Sequence, residues 1–131
     1  MIDVPAAIRE VLLADAGLVA KVGDRIYLQR LPEGHDFDQQ AVVFAIQGGT
    51  TDVYVPHLYP TLEFKCWGKD TIDAQETYRL TYDALHDKSR ASVSSGFLVE
   101  ALEQRHGQNL IDPDSKRPYV RAIFRAILRK D

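Results

Sequence analysis

The stretch 119-YVRAIFRAILRK-130 decides the fold, because its apolar residues fit the periodicity of a helix and that of a strand. A helix would align on one face Val120, Ile123, Phe124, Ile127 and Leu128. A strand would place Val120, Ala122, Phe124, Ala126 and Leu128 on one face and Arg121, Arg125 and Arg129 on the other. Its residue types favour neither, since alanine and arginine suit helices whereas isoleucine and valine suit strands. The periodicity alone favours the helix, but the segment by itself leaves both structures open.

The length, composition and net charge of the chain are those of one ordinary globular domain. The chain has 131 residues, of which 45% are hydrophobic and 27% charged, so we expect a single domain over 1–131. The formal net charge of −3 excludes a generally basic nucleic-acid binder but leaves room for a local basic patch. Cys66 is the single cysteine, which excludes an intrachain disulfide. Without a signal-like or membrane-spanning apolar run, we expect a cytosolic protein that meets no membrane.

Three helices are predicted outside the deciding segment. The first carries an apolar stripe of Val4, Ile8, Val11 and Leu12, with Asp3 as its N-cap. Gly17 ends or kinks this helix before a short one over 18–22, which Gly23 ends. The third covers IDAQETYRLTYDALHD, capped by Asp70 or Thr71, with an inner face of Ala74, Tyr78, Tyr82 and Leu85.

Strands are predicted between these helices. GDRIY (24–28) indicates a short strand or turn, and AVVFAIQ (41–47) a central strand stopped by GGTTD. TLEFKCW (61–67) alternates, with Leu62, Phe64 and Cys66 on one face and Glu63, Lys65 and Trp67 on the other. GFLVEALEQ (96–104) also alternates, with Phe97, Val99 and Ala101 opposite Leu98, Glu100 and Leu102. LPEGHDFDQQ and KSRASVSSG are predicted as loops, and Asp112-Pro113-Asp114 as a turn.

Residues 52–60 are predicted to form an extended arm or loop, because VYVPHLYP holds two prolines, which do not fit inside a paired strand. Its large side chains are typical of protein interfaces, so the candidate contact residues are Tyr54, Val55, His57 and Tyr59. Trp67 joins them as a second possibility, because it lies on the polar side of its strand. The alternative for Trp67 is packing beneath the following helix.

Residues 63–65 match one pattern that is known from enzymes. Glu63-Phe64-Lys65 on a strand, with Asp52 upstream, matches the acid and E-x-K pattern of metal-dependent nucleases, in which two carboxylates hold the metal. The pattern arises often by chance, and Asp52 precedes the arm with its prolines instead of lying at a strand bend. Opposite charges on a solvent-facing side of a strand explain the pair better, and the nuclease remains an alternative.

Other chemistry finds no support in the pattern. No histidine has a partner at zinc-ligand spacing, and Cys66 lies on the apolar face of its strand, where a cysteine behaves as a small hydrophobe. We therefore predict no catalytic, metal-binding or cofactor-binding residues. Arg121, Arg125 and Arg129 have two possible partners, either DNA or carboxylates of a neighbouring subunit. The acidic net charge favours the neighbouring subunit.

The segments in their order resemble the tail completion proteins of long-tailed bacteriophages, the tail terminator or head–tail joining family. The likeness runs over residues 6–129. It rests on AAIREVLLADAGLVAKVGDRIY, on LPEG, on AVVFAIQGGT, on TLEFKCWGKDTIDAQETYRLTYDAL and on QNLIDPDSKRPYVRAIFRAILR. The chain departs from the family in its longer 52–60 arm and in the isoleucines and alanines of its last segment.

The resemblance implies an α+β fold, with an antiparallel-leaning mixed sheet and helices on one side. It makes the last segment a strand, so its three arginines share one face about 13 Å apart. It implies a non-enzymatic virion tail protein, made in the bacterial host cytoplasm, that forms a hexameric ring on the tail tube, ends tail elongation and meets the head–tail connector. DNA would pass through the ring without sequence-specific binding. A stand-alone DNA-binding domain remains an alternative.

Overall fold

The last segment is a strand. In the computed structural model, which describes residues 1–52 and 54–130, it forms β6, Pro118–Lys130. Its predicted apolar face is fully covered, because no more than 1% of the surface is exposed in any of Val120, Ala122, Phe124, Ala126 and Leu128. Along β6 these residues alternate with less covered ones, apart from Ile123, which exposes 8%, and a strand gives this pattern when helices cover one side of its sheet.

The chain folds as a six-stranded mixed sheet, curled into a half-barrel, with three helices packed against it. The helices are α1 (Val4–Leu13), α2 (Ala16–Val22) and α3 (Thr71–Leu85). The other strands are β1 (Ile26–Leu28), β2 (Ala41–Thr51), β3 (His57–Trp67), β4 (Lys88–Val93) and β5 (Gly96–Ile111). Their spatial order is β1-β2-β3-β6-β5-β4, in which β1–β2 pair in parallel and all other neighbours antiparallel. The predicted α+β architecture is therefore confirmed.

The starts of α1 and α3 and the end of α2 lie at the predicted capping residues, but the predicted end of α1 at Gly17 is wrong, because α1 ends at Leu13. The side chains of Asp3 and Asp70 accept hydrogen bonds from backbone N–H groups in the first turns of α1 and α3. Asp15 does the same for α2, so Gly17 lies in the first turn of that helix rather than at the end of α1. Gly23 ends α2 with a φ of 59°, a conformation that glycine adopts without steric cost. Within residues 1–52 and 54–130, no helix has the length and apolar character needed to cross a membrane.

One apolar core lies between the helices and the sheet. Phe64 is its centre on β3, stacked beside Phe44 of β2 at 5.8 Å between ring centroids and edge-on to Phe124 of β6 at 5.2 Å. Ile8, Leu12 and Leu18 of the first two helices cover this layer from the other side. Cys66 lies in the same core, as predicted from its alternating strand.

Two predicted loops are paired strands in part. GGTTD does not stop β2, which continues to Thr51 through an irregularity after Ile46, where Gly48 and Gly49 have φ angles of 86° and 133°. Opposite this irregularity, Pro60 lies inside β3, so the 52–60 segment is a bend over 54–56 followed by strand from His57. A proline is tolerated where the ladder is already interrupted. Val53 of the predicted arm and Asp131 lie outside the described residues.

KSRASVSSG is the other predicted loop that pairs, since Lys88–Val93 forms the edge strand β4 against β5. Its polar composition did not indicate a strand, because β4 meets the core only through Ala91 and Val93. The predicted faces of β5 are also wrong in part. A register shift at Val99 puts Leu98 and Ala101 on the same, helix-covered side. A bulge adds one residue, and every side chain beyond it changes faces.

Candidate interaction surface

The side of the sheet that faces away from the helices carries Arg121, Arg125 and Arg129, which we call the arginine row. Strands β3 and β6 pair without a register shift from His57↔Arg129 to Trp67↔Tyr119. Paired residues in antiparallel strands point to the same face, which locates the neighbours on β5 as well. We call this surface the open face. It comprises Glu63, Lys65, Arg121, Ile123, Arg125, Ile127 and Arg129 on β3 and β6, and Phe97, Glu100, Leu102 and Arg105 on β5.

The open face is positively charged although the chain as a whole is acidic. It holds five basic side chains and two acidic ones, a difference of +3 against a total of −3 for the chain. The five basic side chains are Lys65, Arg105, Arg121, Arg125 and Arg129. Apolar residues lie between them, and Phe97 exposes 38% of its surface. Such a mixture of arginine and apolar side chains is typical of contact surfaces rather than of catalytic clefts.

The three arginines of the row differ in their partners. Arg121 donates to the carboxylate of Glu63 on the neighbouring strand, and the Arg121 and Glu63 side chains expose 34% and 15% of their surfaces. Arg125 and Arg129 are exposed, and neither forms an ion pair within residues 1–52 and 54–130. The row is therefore one arginine bound inside the subunit and two that are available to other molecules.

The groups of the E-x-K pattern do not assemble into a metal site. Glu63 and Lys65 do share a face, as predicted, but Glu63 is bound to Arg121, and Lys65 lies 5.5 Å above the ring centroid of Tyr119. Asp52 follows Thr51, which pairs with Leu58. Leu58 is five strand positions from Glu63, about 17 Å away. The two carboxylates that the nuclease would need are separated by about half the length of β3.

Trp67 is covered by the chain itself. It exposes 7% of its surface and contacts Phe37 and Tyr119 at centroid distances of 5.8 and 4.7 Å. The covering segment is the loop before β2, not the helix after β3. Trp67 is thus neither beneath α3 nor exposed to a partner. Its indole N–H has no hydrogen-bond partner within the described residues.

His35 belongs to the same loop and packs its ring against Phe37 at 5.3 Å between centroids. Burial lowers the pKa of His35 below its ordinary value of 6.5, because it disfavours the charged imidazolium. Among the described residues, no three histidine, cysteine or carboxylate side chains come together as a metal-binding group would require. The part this loop plays is to cover Trp67 and Tyr119, at the end of β3 and the start of β6.

The bend at the far end of the β2–β3 hairpin, residues 54–56, exposes large side chains. We call this bend the hairpin tip. Tyr54 and Val55 expose 96% and 42% of their surfaces. The carboxylate of Asp52 orders the tip by accepting from the backbone N–H groups of Tyr54 at 2.8 Å and Val55 at 3.3 Å. These hydrogen bonds, chiefly that from Tyr54, lower the pKa of Asp52.

His57 and Tyr59 begin β3 below the hairpin tip. Both are half-buried, and their rings meet edge-on at 6.1 Å between centroids. The Tyr59 hydroxyl donates to Asp52 at 3.3 Å, and burial together with that carboxylate raises the pKa of Tyr59. The structure therefore brings four predicted contact residues to one end of the molecule, with Tyr54 and Val55 outermost.

A shallow cleft of about 510 Å³ lies at the same end, beside the open face. It is lined by His57 and Arg129, both predicted, and by Arg90, Phe97 and Val99, which were not. Arg90 and Phe97 were missed because their segment was assigned to a loop or to a strand without a bulge. The pairing Phe97↔Arg129↔His57, which no sequence signal indicates, assembles this cleft.

Cys66 has no access to this surface. Its thiol is buried on the helix side, and burial raises its pKa to about 12, so it stays protonated at neutral pH. The sequence prediction that Cys66 is a core residue is confirmed.

Comparison with known proteins finds a likeness in fold to solved structures. No protein-family model matches the chain, and no curated protein matches it. A solved chain from the "Virion of native gene transfer agent (GTA) particle" superposes with a TM-score of 0.72 at 20% sequence identity. The superposition covers 95% of this chain and 92% of that one. At this identity the likeness shows a shared fold over the whole domain.

Proposed function

We propose that the chain is a structural subunit of a bacteriophage or phage-like particle. The observation that carries this proposal is the likeness to a virion chain over 92% of that chain, with a TM-score of 0.72. The surface chemistry agrees with it, because the exposed groups are isolated arginines, aromatic rings and a tyrosine-bearing bend. Function here would come from the shape of the subunit, not from transforming a substrate.

More specifically, we propose that the chain forms a ring, hexameric by its resemblance to tail terminators, at the end of the tail tube. One surface of the ring binds the last ring of tube protein, and the other offers the head connector a surface that tube protein cannot bind. The location would be the virion tail. A closed ring requires two different patches that complement each other between neighbouring subunits. The open face and the hairpin tip are two separate candidates for such contacts.

Tail length tests this proposal. In a phage that encodes the chain, its deletion should give tails of uncontrolled length without heads, and the supplied protein should restore uniform tails. Electron microscopy of the restored tails should show added ring density at one end. Normal tails without the protein, or no added density with it, would contradict the proposal.

The hairpin tip is proposed to contact a neighbouring subunit or the tube. Replacing Tyr54 and Tyr59 together by serine should weaken ring formation or tail binding. Because Tyr59 also donates to Asp52, the single variant Tyr54→Ser is the sharper test: its side chain is 96% exposed and it leaves that hydrogen bond intact. Ile111→Ser, which alters a residue that is 66% exposed elsewhere, is the control. Equal assembly by both single variants would remove the tip from the contact surface.

A second candidate is direct contact between DNA and the open face, favoured by its surplus of basic side chains. Binding of duplex DNA should then weaken steeply with salt, because phosphate contacts release counterions. Arg125→Ala and Arg129→Ala should each reduce the salt dependence. Absence of binding at low salt would dismiss this candidate and leave the ring proposal intact.

A further inference from the structure

We infer that the open face of one subunit packs against the outer surface of α3 in a second copy of the chain. This inference rests on the proposed function and deepens it, because it identifies which two patches meet. The two surfaces are opposite sides of the same fold, so a copy can offer one to each neighbour. Such a contact is heterologous, and it closes into a ring where the rotation between successive copies returns on itself.

The two surfaces differ in charge. The helices and their flanking turns, residues 1–25 and 69–87, hold nine acidic and five basic side chains, a difference of −4. The open face has a difference of +3. Opposite charges on opposite sides favour copies that stack front to back and oppose contacts of like surfaces. Charges of this kind mainly set orientation and partner choice.

On the open face, Glu100, Arg105, Arg125 and Arg129 form no ion pair among residues 1–52 and 54–130. The two of these on β6 are Arg125 and Arg129. They lie four strand positions apart, about 13 Å, on the uncovered side of β6. Among residues 1–52 and 54–130, no carboxylate is within ion-pairing distance of either guanidinium. Arg121 already has a carboxylate partner, Glu63, within the subunit, so it is not free to bind a carboxylate of another copy.

On the helix side, the matching groups are Asp83 in the last turn of α3 and Asp87 just beyond it. Both are exposed, and neither forms an ion pair within the part of the chain that the structure describes. The last turn of α3 holds no basic residue. Carboxylates at this end of a helix lie next to its partial negative charge and destabilise it slightly in the isolated subunit. A guanidinium from another copy would offset that repulsion.

Both surfaces also carry exposed apolar side chains. On α3, Ile72 in the first turn exposes 80% of its surface, about 17 Å along the helix from Asp83. On the open face, Phe97 is 38% exposed and Ile127 is half-buried. A contact that buries these side chains would gain hydrophobic stabilisation in addition to the ion pairs. The second copy is thus supported by charge and by apolar surface.

Charge-reversed variants test the inference. The acidic-sheet variant combines Arg125→Glu with Arg129→Glu. The basic-helix variant combines Asp83→Lys with Asp87→Asn, because asparagine tolerates the φ of 59° at position 87 better than lysine does. A control, Arg30→Glu with Lys116→Glu, has the net charge of the acidic-sheet variant but changes exposed residues outside both surfaces. Circular dichroism shows that each variant is folded before association is measured by sedimentation across a concentration series.

We expect each variant alone to associate about tenfold more weakly than the unaltered chain, because it brings like charges together. The equimolar mixture should associate again, since the acidic sheet of one variant then meets the basic helix of the other and the reverse contact also survives. The control should behave like the unaltered chain. Weakening that the mixture does not reverse, association unaffected by either variant, or an unaltered chain that stays monomeric throughout would each overturn the inference.

The tail-length assay separates this inference from the proposed function. If the unaltered chain and both charge variants all give uniform tails and added ring density, the proposed function stands and the pairing of these two faces is wrong. If even the unaltered chain leaves tails uncontrolled, the proposed function itself fails. Uniform tails with the unaltered chain and the mixture, but not with either variant alone, would support both.

Discussion

The two faces of β6 differ in whether folding explains their residues. Its even-numbered residues, Val120 to Leu128, lie in a fully covered core, where folding alone accounts for their apolar character. Of its odd-numbered arginines, Arg125 and Arg129 contact no carboxylate in the described chain, and folding accounts for neither. A side chain that stability does not explain is the better indicator of a contact surface. The comparison yields four predictions.

The largest effect is expected on the covered face. Phe124→Ala should destabilise the protein by about 3 to 5 kcal/mol, because it removes a fully buried ring that packs against Phe64 and leaves a cavity. Urea unfolding followed by circular dichroism measures the change in the free energy of unfolding. A loss below about 1 kcal/mol would mean that β6 does not form the centre of the core.

A smaller effect is expected where the loop before β2 covers the open face. Phe37→Ala should cost about 1 to 2 kcal/mol, because Phe37 is half-buried. The variant should also shift the fluorescence of Trp67, the single tryptophan, towards longer wavelengths as water reaches its ring. Phe97→Ala, which changes an exposed ring of the same face, should leave the emission unchanged. Equal spectra for both variants would contradict the covering of Trp67.

The hairpin tip should respond to acid locally. Its carboxylate, Asp52, has a pKa below the ordinary value of 3.8, so its contribution to tip order is complete above that pH and is lost as pH falls through the lower, folded-state pKa. Amide signals of Tyr54 and Val55 in a nuclear magnetic resonance titration report this change. Asp52→Asn, which keeps an acceptor but does not titrate, should abolish the acid-dependent shift. A midpoint above 3.8 would refute the hydrogen bonds that lower the pKa.

The smallest effect is expected for the unpaired arginines. Arg125→Ala and Arg129→Ala should each change the free energy of unfolding by less than about 0.5 kcal/mol. Arg121→Ala should cost more than either, because Glu63, whose side chain is 15% exposed, would lose its partner. Thermal unfolding of the three variants side by side decides this order. An equal cost for all three would show that the open face is held together as one network.

Local signals in the sequence predicted most of the fold correctly. Capping aspartates located the starts of α1 and α3, and the alternation around Phe64 and Cys66 identified the covered face of β3. Predictions from local residue types were wrong where pairing between strands outweighs the composition of a segment. Pro60 belongs to a strand because the ladder is interrupted opposite it, and β4 is a strand because β5 offers it an edge.

The candidate surface was predicted less completely than the fold. Tyr54 and Val55 are exposed at one end, and the three arginines share a face, as a strand requires. Trp67 is covered by a loop whose path no residue pattern indicates. Arg90 and Phe97 reach the cleft beside Arg129 only because a bulge and an edge strand bring them there.

By itself, the sequence determined the size of the domain, its helices, the core face of most strands and the absence of a disulfide, because these depend on composition and on neighbours along the chain. Only the tertiary structure decided that 119–130 is a strand, which arginine is bound and which are available, and that the sheet is basic on the side away from acidic helices. These properties depend on residues far apart in the chain, and cross-strand pairing alone sets which of them meet.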